Sequence, residues 1–293
     1  MCTYKKTAIV TGASGQDGSY LCEYLVGLGY KVVGLVRRSS IDDSKRLESI
    51  KNVLNNPNFK LEYGDITDAG LIAGLIIKHQ PDEFYNLAAM SHVGMSYSMP
   101  ESTIEIDGLA VVKILEQIKI LKPDTKFYSA CTSEMFGRSL SLVQNEKTPF
   151  NPVSPYSIAK QMAFYATKNY RESYGIFACN GILMNHESPR RSEQFVTRKI
   201  TKSVARIKLG KQSKLKLGNM EAKRDWGLAS EYCINSDVPI LTISGWKYEN
   251  QIEAGDKIIN FDVLNNYLST DVVSKKYLLK SSGRQYLLTG RGV

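Results

Sequence analysis

Thr7-Ala8-Ile9-Val10-Thr11-Gly12-Ala13-Ser14-Gly15-Gln16-Asp17-Gly18 is a short β-branched run that breaks into a turn with glycine at every third position. A helical pattern follows. Glycine permits the tight turn and lets backbone N–H groups approach a pyrophosphate at a helix N-terminus, where the dipole favours negative charge. A glycine-rich turn alone is a weak signal, but between a strand and a helix it predicts a dinucleotide site at Gly12, Ser14, Gly15, Gln16, Asp17 and Gly18.

Working outward, apolar and β-branched runs predict strands over 7–10, 32–36, 59–63, 83–87, 126–130 and 177–183. Helical periodicity predicts helices over 18–28, 69–79, 104–121 and 156–174. This alternation implies βαβ units, so residues 1–184 are expected to form a Rossmann-type doubly wound parallel α/β sheet covered on both faces. Residues 185–217 turn basic and helical, with helical apolar spacing over 196–209, and predict a partial second lobe over 185–232. After Cys233 the pattern becomes alternating and strand-like, in Val238-Pro239-Ile240-Leu241-Thr242-Ile243, Lys257-Ile258-Ile259-Asn260-Phe261 and Asp271-Val272-Val273. Turns are predicted at Ser244-Gly245, Gly255-Asp256 and Asn265-Asn266, so 233–293 reads as a small β-rich segment.

The chain has 293 residues, 43% of them hydrophobic, enough for one large core or two moderate ones. The first residues pass straight into a strand-like run without a secretory leader, and no stretch reaches the ~18 apolar residues of a membrane span. A cytoplasmic protein without a membrane partner is expected. Five scattered cysteines with no CxxC pair suit a reducing compartment, and with three histidines far apart no metal site is expected. The net charge of +9 is spread among acids in small clusters, which argues against nucleic acid. Arg37, Arg191 and Arg224 are instead read as binders of phosphates on small ligands, because guanidinium forks match phosphate oxygens.

The end of the second strand refines the cofactor. An acid there suits the ribose hydroxyls of NAD, whereas Leu35-Val36-Arg37-Arg38-Ser39-Ser40 offers cations and hydroxyls that suit a 2′-phosphate. NADP is therefore preferred. Tyr156-Ser157-Ile158-Ala159-Lys160 puts a tyrosine and a lysine on one helix face, where the ammonium can stabilise the phenolate and make tyrosine a usable base. Such a pair gains meaning from Thr132 and Glu134, which follow the fifth predicted strand at the carboxyl edge of the sheet, where ligands bind in this fold.

With these motifs, Ser19-Tyr20-Leu21 and above all Cys179-Asn180-Gly181-Ile182-Leu183-Met184-Asn185-His186-Glu187-Ser188-Pro189-Arg190-Arg191, the chain resembles the GDP-mannose 4,6-dehydratases of the extended short-chain dehydrogenase/reductase superfamily. Phe195-Val196-Thr197-Arg198-Lys199-Ile200 and Leu217-Gly218-Asn219 leading to Arg224-Asp225-Trp226-Gly227 continue the likeness, which covers residues 5–232. The resemblance implies a hydro-lyase acting by internal redox. Tyr156, with Lys160, would take the C4 hydroxyl proton as NADP+ accepts hydride; Glu134 would remove the C5 proton and help water leave C6, assisted by Thr132. It further implies cofactor contacts at Asp65, Ile66, Leu87, Ala88, Ala89, Ser91, His186 and Arg191, GDP-mannose contacts at Thr132, Asn185, Lys199 and Arg224, and a homo-oligomer. Met90 and Ser102 depart from the usual glutamine and tyrosine, and Met135-Phe136 from a usual Leu-Tyr pair, the last a volume-tolerant packing change.

The likeness breaks off after Tyr232, with the family's last third absent. Cys233, the Asp237-Val238-Pro239-Ile240-Leu241-Thr242 run and Ile252-Glu253-Ala254-Gly255-Asp256 through Asp262 resemble the N-terminal block of an intein, the Hint fold. In that family the leading cysteine attacks the preceding carbonyl and converts the peptide to a thioester. A later Thr-x-x-His block and a terminal His-Asn pair are not present, which implies an N-terminal fragment, either a split precursor with a complementary C-terminal intein-extein fragment or a truncated gene product. Two readings therefore stand together, an NADP-dependent dehydratase and a splicing precursor active only after ligation, with another nucleotide-sugar dehydratase or epimerase, or a chimeric tail, as alternatives.

Overall fold

The computed structural model describes residues 6–38, 47–138, 144–218, 220, 224–231, 240–247, 251, 253, 255–262, 267–279 and 285–290. Ser39, Ser40, Asn219, Tyr232, Cys233, Asp237-Val238-Pro239 and Asn265-Asn266 lie outside these. Backbone contacts group into two units, Met1–Tyr232 and Cys233–Val293.

The first unit is built on strands β1 (Thr7–Thr11), β2 (Lys31–Val36), β3 (Phe59–Tyr63), β4 (Glu83–Asn86), β5 (Lys126–Thr132) and β6 (Ala178–Leu183). Their order is β3-β2-β1-β4-β5-β6, with every pair parallel. This is the Rossmann order, which leaves a topological switch point between β1 and β4. A parallel sheet needs cover on both faces, so its strands carry apolar residues on both. Ala8, Ile9, Val10, Val32 and Val33 are accordingly fully buried.

The connections include helices α1 (Gln16–Gly27), α2 (Lys51–Leu54, entered through a 3-10 turn at Glu48–Ile50), α3 (Ala69–His79), α4 (Val93–Ser96), α5 (Pro100–Ile104), α6 (Ala110–Leu121) and α7 (Pro155–Tyr174). The predicted helix over 104–121 is present but interrupted. A wider π-helical turn, Glu105–Leu109, joins α5 to α6. Helix α7 begins at a capping box in which Ser154 and Ser157 exchange side-chain and backbone hydrogen bonds, with Pro155 at its first position. It ends at Gly175, whose φ of 70° a side chain would resist.

The core lies between the sheet and α3, α6 and α7. Ile72, Ile76, Ile114, Leu115 and Ile118 pack with Phe84 and Phe127, whose ring centres are 6.0 Å apart. Beyond β6 the chain forms β7 (Asn185–Glu187) and α8 (Val196–Lys208), and β8 (Trp226–Leu228) returns parallel to β7, pairing Asn185 with Trp226. This two-stranded sheet had no local signal.

In the second unit β9 (Ile240–Thr242), β10 (Gly245–Lys247), β11 (Lys257–Asp262), β12 (Tyr267–Leu279) and β13 (Gln285–Gly290) form one antiparallel sheet ordered β10-β9-β11-β12-β13. Strand β12 is far longer than the predicted Asp271-Val272-Val273, and β13 and β10 were not predicted. The turn between β9 and β10 falls at Ile243 and Ser244, one residue ahead of the predicted Ser244-Gly245. Lys247 Nζ is 2.6 Å from Asp256 Oδ1, and Asp256 also accepts from the Glu253 amide, which holds its carboxyl below the usual range. Among the described residues no helix is long and apolar enough to cross a membrane.

Phe127 is 1% exposed at the centre of this core. Phe127→Ala should lower stability by about 3–5 kcal/mol, read from urea denaturation midpoints, because a ring-sized void cannot collapse against a rigid parallel sheet.

Candidate active site

The switch point is held open by a small polar knot. Thr11 Oγ1 donates to Asn86 Oδ1 at 2.7 Å and accepts from the backbone amides of Leu87 and Ala88, both at 3.1 Å. The chain leaving β4 is thereby pressed against the loop leaving β1. Gly12 has φ 66°, and a Cβ there would sit 2.8 Å from Ala88 N. A Cβ on Gly18 would fall 2.3 Å from Gly12 O, so the loop and α1 can meet only because residue 18 lacks a side chain.

Above this loop lies a cavity of about 800 Å³ at the carboxyl end of the sheet. It collects Gly12, Gly15, Gln16, Asp17 and Gly18 from the loop, Leu87, Ala88, Ala89 and Ser91 from the end of β4, and Thr132 and Glu134 from the end of β5. Tyr156 and Lys160 of α7 and Asn185, His186, Arg191 and Arg224 complete the predicted set there. Ser14, Arg37, Asp65 and Ile66 line a second cavity of about 230 Å³, which shares Gly12, Ala88 and Ala89 with the first. Lys199 is not in either lining; it is on the exposed side of α8, next to the lining Ile200. Cys233 lies outside the described residues.

Lys160 is 3% exposed, and its Nζ donates to Ala130 O at 3.0 Å. Burial, reinforced by the nearby Asp107 carboxylate, pushes the Tyr156 phenol far above its ordinary value, opposed by a hydrogen bond with Thr132. Thr132 Oγ1 accepts the Glu134 amide at 3.2 Å and so caps the 3-10 turn Ser133–Phe136, which presents Glu134 to the cavity. Glu134 Oε1 is 3.7 Å from Arg224 Nε. Met135 and Phe136 are buried behind it, Phe136 against Phe150, consistent with a packing change at those two positions. Burial also lifts the neighbouring Cys131 thiol to about 11, so it stays protonated at neutral pH.

The segment after β6 is tied to the start of α1. Gln16 Nε2 donates to His186 O at 3.1 Å, and Ser188 Oγ donates to Gln16 Oε1 at 2.9 Å. Arg190 forks onto Glu23 at 2.8 Å and lies 4.1 Å over the Tyr20 ring. His186 sits between Met184 O at 2.7 Å and Asp17 Oδ1 at 2.9 Å. Burial pulls its protonation down, but the Asp17 carboxylate and the Met184 carbonyl outweigh this, and the net shift is upward.

Sequence reasoning missed Asp107. It is 1% exposed in the π turn, where Oδ1 accepts the Met90 amide at 2.8 Å and Oδ2 is buried without a hydrogen-bond partner. Burial raises its carboxyl, with Lys160 acting against this. Gly108 permits the approach, since a Cβ there would meet Met162 Sδ at 3.0 Å. One signal existed: Asp107 falls on the stripe of Val111, Ile114 and Ile118, where an acid has no apolar reason to be. His92 and Phe195, whose rings are tilted by 53° with centres 5.8 Å apart on the cavity wall, were also missed.

A parallel sheet in this order, a glycine loop at its switch point and a Tyr–Lys pair on the helix after β5 define a protein of the short-chain dehydrogenase/reductase fold. Solved structures agree: the dTDP-glucose 4,6-dehydratase DesIV of Streptomyces venezuelae, with NAD and TYD bound, superposes with a TM-score of 0.68 at 23% identity over 78% of this chain and 69% of that one. A UDP-N-acetylglucosamine 4-epimerase of Methanobrevibacter ruminantium gives 0.68 at 24% identity, covering 78% and 71%. A sequence model of the family "GDP-mannose 4,6 dehydratase" matches residues 9–241, and the chain belongs to that family. Curated relatives named GDP-mannose 4,6-dehydratase in Yersinia enterocolitica and GDP-mannose 4,6 dehydratase 2 in Caenorhabditis elegans are 51% and 48% identical over 78% of this chain. The chain spans 62% and 61% of their lengths.

The His186–Asp17 contact makes a signed prediction. A histidine whose folded value is raised contributes stability fully below its unfolded value, near 6.5, and loses that contribution as pH rises through the folded value. The difference in Tm between the unaltered chain and Asp17→Asn should therefore be largest at pH 6 and shrink toward pH 9 in calorimetric melts.

Proposed function

We propose that this chain carries the N-terminal part of an NADP-dependent GDP-mannose 4,6-dehydratase, converting GDP-mannose to GDP-4-dehydro-6-deoxy-mannose. The carrying observation is the convergence of the glycine loop, Thr132, Glu134, Tyr156 and Lys160 on one cavity, in a chain about half identical to relatives named for that activity. The residues present fit a dinucleotide, because Gly12, Gly15 and Gly18 line the cavity at the N-terminus of α1 with backbone alone. Leu87, Ala88, Ala89, Ser91 and His186 would wall it, Asp65 and Ile66 would meet its adenosine end, and Arg37 would meet a 2′-phosphate.

When bound, NADP+ accepts hydride from the sugar C4 and later returns it to C6, so none is consumed. Tyr156 takes the C4 hydroxyl proton at its phenol oxygen. Lys160, anchored on Ala130 O, supplies the positive charge that burial and Asp107 otherwise deny the phenolate. Glu134 then takes the C5 proton, acidified by the C4 carbonyl, and gives it to the departing C6 hydroxyl, with Thr132 holding the sugar; when hydride reaches C6, a proton equivalent to the one Tyr156 took returns to C5. Asn185, Lys199 and Arg224 are assigned to GDP-mannose, with Lys199 needing to turn in from the exposed side of α8. The exposed Ile158, Met162 and Tyr165, on one face of α7, support a homo-oligomer, and a monomer at micromolar concentration in analytical ultracentrifugation would count against it.

Calorimetric titration tests the cofactor. NADP+ should bind at least about tenfold more tightly than NAD+, and Arg37→Ala should remove most of that margin, as expected of a charge-assisted hydrogen bond. Equal affinity for the two dinucleotides would sink the NADP assignment.

A second reading is supported by the division of backbone contacts between Tyr232 and Cys233 and by the antiparallel sheet that follows. We propose that 233–293 is the N-terminal part of a Hint-type intein, with Cys233 as nucleophile. Its sulfur would bond to the Tyr232 carbonyl carbon as the C–N bond breaks, leaving a thioester and a free Cys233 amine that takes the thiol proton. Mass spectrometry of the chain mixed with a complementary C-terminal intein fragment and excess thiol should show cleavage after Tyr232, abolished by Cys233→Ala. Intact chain under those conditions would defeat the splicing reading, while turnover of GDP-mannose by the chain alone would defeat the requirement for ligation.

A further inference from the structure

Adjacent arginines at the end of the β7 segment are used differently. Arg190 is committed to Glu23, Ser19 and the Tyr20 ring. Arg191 is held from two other directions. Its Cζ lies 3.5 Å from the centre of the Phe195 ring, and its Nε lies 3.1 Å from Glu187 Oε1 without the alignment of a hydrogen bond. Glu187 is fixed in turn, its Oε2 accepting the Thr197 hydroxyl. Phe195 is backed by His92 and set at the start of α8 by its backbone N–H, which donates to Ser192 O at 3.1 Å. Among the described residues neither Nη atom of Arg191 has an acceptor, and the side chain lines the main cavity.

We propose that Phe195 is a positioning residue that, with Glu187, fixes the Arg191 guanidinium plane for the diphosphate of the bound dinucleotide. This rests on the dinucleotide reading of the cavity. A guanidinium stacked on a ring keeps its in-plane N–H edge available, and the edge is what a phosphate recognises. Holding a long side chain in place beforehand removes the rotamer cost of ordering it on binding. The dinucleotide is favoured over the sugar nucleotide because Gln16 ties the 186–188 backbone to the first turn of α1, the phosphate-facing end of that helix.

Calorimetric titration of the full chain with NADP+, NAD+ and GDP tests this. Phe195→Leu keeps apolar bulk but loses the π face, and should weaken both dinucleotides by the same factor, about three- to tenfold. Phe195→Tyr should stay within about twofold, since it retains the ring. In an Arg191→Lys background Phe195→Leu should add nothing, because its effect passes through the guanidinium. Unchanged dinucleotide affinity in Phe195→Leu, or an undiminished effect in the Arg191→Lys background, overturns the inference. So does a loss confined to NADP+ or to GDP, which would assign Arg191 to a different phosphate. Failure of the unaltered chain to bind any dinucleotide would instead overturn the cofactor reading on which the inference rests.

Discussion

The structure depends on one close approach, the carbonyl of Gly12 lying where a side chain at residue 18 would be. Everything at the carboxyl edge of the sheet is measured from that contact. It sets how far α1 can descend toward β1, and therefore where the helix N-terminus points. In the second constraint the Thr11 hydroxyl bonds Asn86 and the next two amides and brings the Ala88 backbone against Gly12. A side chain at residue 12 or 18 would force these elements apart, and the cradle would open before any ligand arrived.

Much of this was legible because it is local. Strands β1 and β2 are buried almost throughout and read as apolar runs, and the positions of β1 to β6 are predicted from the sequence within a few residues. The errors have physical causes. Strand β5 runs to Thr132 because β6 pairs with it as far as Leu183, and pairing is not written in either strand alone. The helix over 104–121 contains a π turn, and an extra residue in one turn is invisible to a pattern that assumes a fixed period. Strands β7 and β8 are three residues each and join Asn185 to Trp226, so their existence is a tertiary fact. In the second sheet, Ser269, Thr270, Lys275 and Lys276 interrupt the apolar signal of β12, leaving only its middle readable.

The site divides in the same way. The glycine loop, Thr132 with Glu134, and Tyr156 with Lys160 carry spacings that mean something within one element. Asp107, His92 and Phe195 do not, because their surroundings arise from approaches between elements. Asp107 is the instructive case. The π turn and Gly108 let it settle beside Lys160, where burial disfavours its charge while the lysine favours it. A buried carboxylate so placed opposes ionisation of Tyr156, while Lys160 favours ionisation of Asp107.

The two sides of the cavity differ in how finished they are, and electrostatics says why that matters. On the side proposed for the cofactor, Lys160, Tyr156 and His186 are buried, and Lys160 and His186 are hydrogen-bonded, so charge there acts through a poorly screening medium. On the side proposed for the sugar, Arg224 and Trp226 are each 45% exposed and Met220 is 77% exposed. The Glu134–Arg224 pair at 3.7 Å is correspondingly open to solvent, and such a pair contributes little until water is excluded. The proton transfers proposed at C5 and C6 would depend on that carboxylate acting in a dry site. Cover over the sugar side would change its chemistry far more than that of the Tyr156–Lys160 pair, which the sheet and α7 have already removed from water. In the proposed function, dinucleotide binding and dehydration would therefore be separable, the first set by the glycine loop and the second by whatever encloses Glu134.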